Sequence, residues 1–403
     1  MSAATRPAAV GGRIFTPAVV ACFALAALAG VLILWRAAMG LGATTAMNDG
    51  YPWGLWIAFD VVTGTALGCG GYAIALLVYV LNKGKYHPLV RPAMLTSALG
   101  YSIAGFSVLL DLGRPWLAWK IPVFLNHWNP HSVLLEVAVC IMAYCLVLWL
   151  ELTPAMLEKA GQSASPALRK MSAAVLPRLR KVMVWFMALG VLLPTMHQSS
   201  LGSLLLLSGP RLHPLWNTPV LPLLFLTSCV LMGFGAVVLE GALSARYLGR
   251  KPETELLAGL GAAMLPVLGV YLGLRIVDLA LRRQFGALFA FDVNGAMSLV
   301  ELALFAASGA MMATEAARRD LGNLMRAAIL LVFAGALYRF DVFLLAFRPG
   351  PNWSYFPNVN EILITVGLVA AEVGIYIVFV RVFPILAGRP APAAGTAAAL
   401  AAR

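Results

Sequence analysis

Charged residues are scarce in this sequence of 403 residues, in which Asp, Glu, Lys and Arg together make up only 11%. Soluble globular proteins carry about 25%, whereas here hydrophobic residues reach 61%. The deficit excludes a soluble domain as the main body of the chain. A net charge of +12 would favour nucleic acid as a partner of a soluble protein. A membrane protein instead places basic residues in its cytoplasmic loops, so we expect membrane lipids and no nucleic acid as partners.

Paired cysteines are also lacking. No two cysteines form a Cys-x-x-Cys pair, and all of them lie inside apolar segments: Cys22, Cys69, Cys140, Cys145 and Cys229. Isolated thiols at such positions are typical of buried structural residues and disfavour zinc or iron–sulfur ligation. We therefore expect no metal site formed by this chain.

Long apolar runs are abundant. An α-helix needs about 20 apolar residues to cross a bilayer, and in lipid its backbone groups must be satisfied within the segment. The sequence predicts ten such helices, at 16–38, 53–81, 93–111, 131–151, 182–197, 219–243, 256–279, 292–313, 325–346 and 360–385. The predicted fold class is an all-α polytopic membrane protein. It has a cytoplasmic tail at 1–15, a transmembrane domain at 16–385 and a disordered tail at 386–403.

The basic residues predict the orientation. With the N-terminus in the cytoplasm, more than two thirds of the 29 lysines and arginines fall in the inner segments, as the positive-inside rule requires. Ten spans then place both termini inside. The outer segments hold most of the histidines and tryptophans, so we expect the functional face on the outer side.

Ionisable residues inside the predicted spans are costly in lipid and are usually functional. Asp60, Glu136, Glu301 and Glu372 are such residues. We expect them to form a proton path. The alternative is that a hydroxyl or a backbone group satisfies each carboxyl group locally.

Two arginines lie close to aspartates near the outer helix ends. Arg275 and Asp278 have the i,i+3 spacing of an intrahelical ion pair, which we expect them to form. Arg339 and Asp341 are two residues apart and do not share a helix face, so we expect no simple pair.

Small residues follow Asp60 along the second predicted span. Gly64, Gly68 and Gly71 place glycine at i, i+4 and i+7, which lets another helix approach closely. This packing would draw Asp60 into the bundle.

The positions of the histidines indicate whether the chain can bind haem. A bis-histidine haem b needs two imidazoles that project from facing helices. His87 lies in an inner loop, while His127, His131 and His213 lie at or beyond the membrane ends. Only His197 ends a predicted span. We therefore expect no haem.

A series of motifs occurs in order along the chain: NDGYPWGLWIAFDV, DLGRP, NPHS, PTMHQSSLGSL with HPLWNTP, and YRFDVF with PNWSYFPN. They resemble the NrfD/polysulfide-reductase family of membrane subunits, and within it the membrane subunit of bacterial periplasmic Ni/Fe-hydrogenases. The similarity extends from about Asn48 to about Glu372.

The resemblance implies NrfD-like helical bundles, a quinone-reactive domain at 16–385 and no catalytic metal or haem. It implies a place in the bacterial cytoplasmic (inner) membrane with the functional face in the periplasm. The partners would be a periplasmic ferredoxin-like iron–sulfur subunit and the hydrogenase small and large subunits. The chain would carry electrons between that iron–sulfur subunit and menaquinone or ubiquinone. A neighbouring branch of the family serves polysulfide, tetrathionate, nitrite or sulfite chemistry.

Quinone reduction takes two electrons and two protons, so its site needs polar donors, an apolar wall and a proton source. We expect such a site near the outer membrane surface. His197, His131 and Arg114 would donate hydrogen bonds, and Asp111 would carry protons with Asp60 and Glu136. The candidate quinone-binding residues are Trp53, Trp56, Asp111, Arg114, His131 and His197.

Two functions of other classes compete with quinone chemistry. A secondary transporter would show internal repeats and broken helices near the midplane, and the segments 16–197 and 219–385 show no convincing self-similarity. A passive anchor for a periplasmic enzyme would not require four carboxylates inside the membrane.

Overall fold

The computed structural model describes residues 7–387. Within them, ten helices are long and apolar enough to cross a membrane, and each corresponds to one predicted span. This confirms the all-α polytopic fold. The helices are α1 (Pro17–Met39), α2 (Trp56–Val80), α3 (Gly84–Asp111), α4 (Val133–Gly161), α5 (Pro166–Leu206), α6 (Leu221–Tyr247), α7 (Thr254–Leu281), α8 (Val293–Met311), α9 (Leu321–Leu345) and α10 (Val359–Val382).

Short helical turns fill the connections, at Leu41–Thr44, Pro115–Leu117, Lys120–Val123, Leu125–His127, Gly209–Arg211, Phe285–Leu288 and Glu315–Arg319. Two short strands, β1 (Pro7–Ala8) and β2 (Leu386–Ala387), pair antiparallel. The two ends of the described chain therefore meet on one side, as an even number of spans requires. The predicted tail at 386–403 thus begins in a strand, and residues 388–403 lie outside the described part, as do residues 1–6.

The helices form two bundles with a flanking pair. Helices α2 to α5 pack against one another, and so do α6 to α9. Helices α1 and α10 pack together beside them, and α10 also contacts α2 and α3. Because α2 and α6 lie where the bundles meet, they are the most enclosed helices.

Glycines set the distance between α2 and its neighbours. A Cβ atom at Gly233 on α6 would lie 2.5 Å from the carbonyl oxygen of Cys69 on α2. A Cβ atom at Gly71 would lie 2.7 Å from the Ser97 Oγ on α3. Small residues let helix backbones approach this closely. The prediction of close packing along α2 is confirmed, and Asp60 is buried as expected, with 4% of its surface exposed.

Helix α2 departs from regular α-helical geometry. It has π-helical turns at Trp56–Val61 and Leu76–Val80, and it is interrupted at residues 68–69. Helix α9 ends in a further π-helical turn, Asp341–Leu345. Such turns are rare and occur frequently at functional sites. Two of the intramembrane aspartates, Asp60 and Asp341, lie in these turns.

The inner connection between α4 and α5 is helical almost throughout. Residues 152–181 lie between two predicted spans, but α4 continues to Gly161 and α5 begins at Pro166. Proline is favoured at the first position of a helix, and the Ala-, Leu- and Arg-rich sequence that follows has high helix propensity. At its outer end α5 continues to Leu206. The interpretation of His197 as the end of a span is therefore wrong.

Candidate functional site

Two of the predicted proton-path residues lie close together between α2, α3 and α10. The hydroxyl of Thr365 on α10 donates a hydrogen bond to Asp60 Oδ2 at 3.0 Å, and Ser107 on α3 lies beside the same carboxyl group. Glu372 lies further along α10, close enough for its charge to interact with that of Asp60. Its Oε1 would be 3.4 Å from a Cβ atom at Gly100.

Glu301 and Glu136 lie elsewhere. Glu301 is on α8, in the second bundle, where it is 1% exposed and its Oε1 has no hydrogen-bond partner among the described residues. Asp341 and Arg275 lie beside it. Glu136 is in the first turn of α4 and is only partly buried. The four predicted residues therefore do not form one cluster.

The predicted ion pair between Arg275 and Asp278 is wrong. Arg275 donates instead to the carbonyl oxygen of Leu215 at 2.6 Å and to Ser298 Oγ at 3.3 Å. Asp278 pairs with Arg282 at 2.5 Å, with i,i+4 spacing. The side chain of Arg275 is buried and donates its hydrogen bonds within the bundle, so Asp278 pairs with the more exposed Arg282.

Arg339 connects the two bundles. Its guanidinium is fully buried and donates to the carbonyl oxygens of Val62 on α2, at 2.9 Å, and of Phe225 on α6, at 2.6 Å. It also lies 4.6 Å from the centre of the Phe225 ring. Asp341 faces Glu301 instead. The expectation that Arg339 and Asp341 do not form a simple pair is confirmed.

His197 is fully buried in the first bundle. Its ring lies 5.6 Å from that of Tyr101, centre to centre. Neither ring nitrogen makes a well-formed hydrogen bond, although the backbone of Val137 lies nearby. The next residue, Gln198, donates to Thr65 Oγ1 at 2.9 Å and to the Tyr101 hydroxyl at 3.3 Å. His197 is therefore a buried imidazole with free hydrogen-bonding capacity.

Three other candidate quinone-binding residues lie at the outer end of α2 and α3. The indole N–H of Trp53 donates to the carbonyl oxygen of Phe343 at 2.9 Å. Trp56 is 1% exposed, and its indole nitrogen has no partner among the described residues. Asp111 accepts a hydrogen bond from the Gly54 amide at 3.2 Å. Trp53 and Asp111 are thus engaged in holding this segment, whereas Trp56 has a free donor.

The last two candidates lie on the surface. Arg114 follows α3 in the outer loop, and His131 precedes α4, and both are exposed. The structure therefore distributes the six candidates over three places: the outer end of α2 and α3, the interior of the first bundle, and the outer loops.

A hydrogen-bond network around Glu361, at the outer side, was not predicted from the sequence. The Tyr355 hydroxyl donates to Glu361 Oε1 at 2.6 Å and accepts from the Leu55 amide at 2.7 Å. Glu361 Oε2 accepts from the Ala46 amide at 2.8 Å. Burial and the neighbouring Glu361 raise the pKa of Tyr355 well above its ordinary value. Asn358 and Glu361 form a capping box, a signal that the sequence does contain.

A second network that was missed lies toward the inner side. Glu240 on α6 accepts hydrogen bonds from the Tyr376 hydroxyl of α10 at 2.5 Å and from Thr96 Oγ1 of α3 at 3.0 Å. Glu240 falls within the predicted span at 219–243, so the rule that singled out Glu301 and Glu372 applied to it as well.

Comparison with known proteins shows which family the sequence matches. The family model described as "Polysulphide reductase, NrfD" matches residues 43–348. The "Probable Ni/Fe-hydrogenase 2 b-type cytochrome subunit" of Escherichia coli K12 is 40% identical over 94% of this chain and 95% of its own length. The "Menaquinone reductase, integral membrane subunit" of Nitratidesulfovibrio vulgaris is 34% identical over 60% of this chain and 57% of its own length.

The expectation that no haem is bound is wrong by this comparison, because the E. coli relative is named a b-type cytochrome subunit. Among the described histidines, His87, His127 and His131 are exposed, and the Nδ1 of His213 accepts a hydrogen bond from the Leu215 amide. His197 is thus the buried imidazole that is free to act as an axial ligand. Within residues 7–387, His127, His131 and His213 lie between the long helices and His87 lies in the first turn of α3 at the inner surface. A second imidazole therefore does not project toward His197 from a facing helix, so these residues do not fit a bis-histidine site.

Proposed function

This chain belongs to the NrfD polysulphide reductase family of membrane subunits, and from this membership we propose that it is the membrane subunit of a respiratory Ni/Fe-hydrogenase complex. It passes electrons between a docked ferredoxin-like iron–sulfur subunit and menaquinone or ubiquinone. The hydrogenase relative is similar along nearly the whole chain, which favours this branch. The menaquinone reductase relative supports quinone as the electron carrier.

The proposed orientation places the outer loops in the periplasm of a bacterium, with the chain in its cytoplasmic (inner) membrane. The distribution of basic residues supports this direction. Large exposed side chains are frequent in the outer loops, where Trp116, Trp119, Trp128 and Trp353 all project from the surface. Exposed apolar surfaces of this kind mark protein–protein or membrane interaction sites. We assign this surface to the iron–sulfur subunit, with the hydrogenase small and large subunits beyond it.

The observation that carries the quinone assignment is the free imidazole of His197. Buried polar groups are almost always hydrogen-bonded, so an exception calls for an explanation. A quinone carbonyl oxygen supplies the missing partner. His197 lies about two and a half turns before the outer end of α5, within reach of electrons that arrive at the outer face.

The chemistry assigns separate tasks to the described residues. His197 donates a hydrogen bond to one quinone oxygen, and Tyr101 fixes the imidazole from its side. Trp56, with its free indole N–H, is the second candidate donor, and Asp60 holds a proton for the reduced oxygen. Arg114 and His131 lie on the docking surface. Trp53 and Asp111 hold the backbone that carries Trp56.

The test uses the whole complex, purified through a tag on this chain. Bound quinone is extracted and quantified, and a reduced-minus-oxidised spectrum is recorded, for the wild type and for His197→Gln. His127→Gln removes an exposed outer histidine and is the matched control. We expect bound quinone to fall about tenfold or more in His197→Gln, the loss of more than one kcal/mol of binding, and to stay unchanged in the control.

Two results contradict the proposal in different ways. Unchanged quinone together with loss of a haem b signal in His197→Gln assigns the imidazole to haem and removes it from the quinone site. Co-purification of a polysulfide-, tetrathionate- or nitrite-linked catalytic subunit, with no hydrogenase subunits, places the chain in the neighbouring branch of the family.

A further inference from the structure

Polar residues recur at matching heights on α3 and α10, which run in opposite directions through the membrane. Side chains seven or four residues apart share one face of a helix. From the outer side inward, successive positions are seven and then four residues apart on both helices. On α10 they follow the direction of the chain, and on α3 they run against it. The polar residues are Thr365, Glu372 and Tyr376 on α10 and Ser107 and Thr96 on α3, and Gly100 occupies the middle position on α3.

Each height holds one carboxyl group. At the outer height Asp60 accepts from Thr365, and at the middle height Glu372 lies against Gly100. At the inner height Glu240 lies between Tyr376 and Thr96. Tyr376 lies eleven positions after Thr365, which corresponds to about 16 Å along a helix. The three carboxyl groups therefore extend over about half of the hydrocarbon thickness.

The middle carboxyl group has room to move. Glu372 makes no hydrogen bond within residues 7–387, and the facing residue is glycine. A Cβ atom at Gly100 would be only in ordinary van der Waals contact with Glu372 Oε1, at 3.4 Å. A free carboxyl group opposite a glycine is able to change rotamer, as a proton carrier between two fixed groups must.

The inner carboxyl group, that of Glu240, lies next to a cavity at the inner side of the membrane. Glu240 lines a cavity of about 20 Å³ together with Ser244, Arg250 and Glu253. This volume holds about one water molecule. A wide opening of about 380 Å³ at the inner surface shares Arg250 and Ala387 with this cavity. Glu240 therefore lies beside a small cavity that borders the opening at the inner surface.

We propose that Glu240, Glu372 and Asp60 form a proton-uptake path from the inner surface, with Glu240 as its entry residue. The inference rests on the proposed function, because quinone supplies the need for protons. Each quinone accepts two electrons from the iron–sulfur subunit and two protons through Asp60, which gives one quinol. Each hydrogen molecule oxidised at the partner yields those two electrons and releases two protons outside. Glu136 and Glu301 do not belong to this path.

The experiment uses proteoliposomes of the purified complex with menaquinone in the lipid. The inner face is turned to the medium, and valinomycin with potassium removes the membrane potential. Hydrogen starts the reaction, and a pH dye reports proton uptake from the medium. The variants are Glu240→Gln, Glu240→Asp and the control Glu158→Gln, which changes a glutamate of an ion pair at the inner surface.

For the wild type we expect uptake of two protons per quinone reduced. Glu240→Gln lowers the rate of uptake about a hundredfold, the scale of losing one positioned proton carrier, while bound quinone stays at the wild-type level. Glu240→Asp restores part of the rate, because an ionisable group is present again. Glu158→Gln leaves uptake unchanged.

Different results overturn the proposed function and the proton path. Absence of hydrogen-driven quinone reduction in the wild type overturns the proposed function. Normal quinone reduction with unchanged uptake in Glu240→Gln overturns the path alone. If Glu240→Gln does not fold, Thr96→Val removes one hydrogen bond to Glu240 and still has to slow uptake without changing the quinone content. An unchanged rate in that variant also rejects the path.

Discussion

The hydroxyl of Tyr376 on α10 donates a hydrogen bond to the carboxylate of Glu240 on α6, with 2.5 Å between the two oxygens. This contact joins the flanking helix pair to the second bundle at the inner side of the membrane. It also fixes the orientation of a carboxyl group that lines the inner cavity.

Tyr376→Phe removes this hydrogen bond and leaves the ring in place. We expect the free energy of unfolding to fall by about 1 kcal/mol and proton uptake in proteoliposomes to slow several-fold, because Glu240 loses its fixed orientation. Thermal unfolding in detergent and the pH dye measure the two effects. Tyr247→Phe, at an exposed tyrosine of α6, is the control, and equal effects in both variants would contradict the role of Tyr376.

Gly233→Ala tests the close approach of α6 to α2. The new methyl group would lie 2.5 Å from the Cys69 carbonyl oxygen and 2.7 Å from its carbon, both backbone atoms that cannot move aside. Such overpacking costs about 1–3 kcal/mol, so the midpoint of thermal unfolding falls. Gly269→Ala on α7 adds the same group where no atom lies within 4 Å. That variant is expected to keep the wild-type midpoint, and a loss as large as that of Gly233→Ala would count against the packing argument.

Arg339→Lys tests the connection between the bundles. A guanidinium reaches the carbonyl oxygens of Val62 and Phe225 together, whereas an ammonium is a point donor on a different stem. One buried carbonyl loses its partner, which costs about 1–3 kcal/mol. Thermal unfolding of Arg339→Lys and of the exposed control Arg348→Lys gives the comparison. Equal stability of the two variants would show that the hydrogen bonds of Arg339 to Val62 and Phe225 do not contribute to the stability of the fold.

His213 lies in the outer loop before α6, and we expect it to make the stability of the fold depend on pH. Burial, with a smaller contribution from the Arg348 charge, lowers the pKa of His213 below its ordinary value of 6.5. Its Nδ1 accepts from the Leu215 amide at 3.2 Å, so that nitrogen must be unprotonated in the folded state.

The difference between the pKa of His213 in the folded and in the unfolded chain determines how stability changes with pH. The unfolded chain takes up a proton on His213 at a higher pH than the folded chain does, so stability is full above about pH 6.5 and falls below it. We expect His213→Gln to show a smaller loss of thermal stability between pH 7 and pH 5 than the wild type. Identical pH profiles would mean that His213 does not contribute to the acid sensitivity.

The ten spans were predictable because hydropathy over a helix length reflects transfer into lipid and little else. The length of α5 was not, because its first turns carry basic side chains and resemble a solvated connector. They form a helix because of their high helix propensity, and Ser172 among them contacts α4 by donating to the Leu157 carbonyl oxygen at 2.8 Å.

The candidate sites were predictable as residue types but not as groups. Asp60, Glu301 and Glu372 stood out because each is ionisable and lies inside a span. Whether two of them meet depends on which helices are neighbours, and no single helix period contains that information. Glu240 was overlooked near the end of its span, where an ionisable residue is normally solvated.

The position of His197 was predicted wrongly for a related reason. The predicted end of span five placed this residue at the membrane surface. The longer α5 places it in the interior of a bundle, with its ring nitrogens free.

The pairing of β1 with β2 brings Pro7 and Ala387 into register as partners. A short linker that joins Ala387 to Pro7, in place of residues 388–403 and 1–6, would make α10 and α1, which already pack together, consecutive in the chain. New termini could then be opened in any exposed outer loop, such as the one around Trp128. Such a circular permutant would keep every helix contact and would carry its termini on the opposite side of the bilayer.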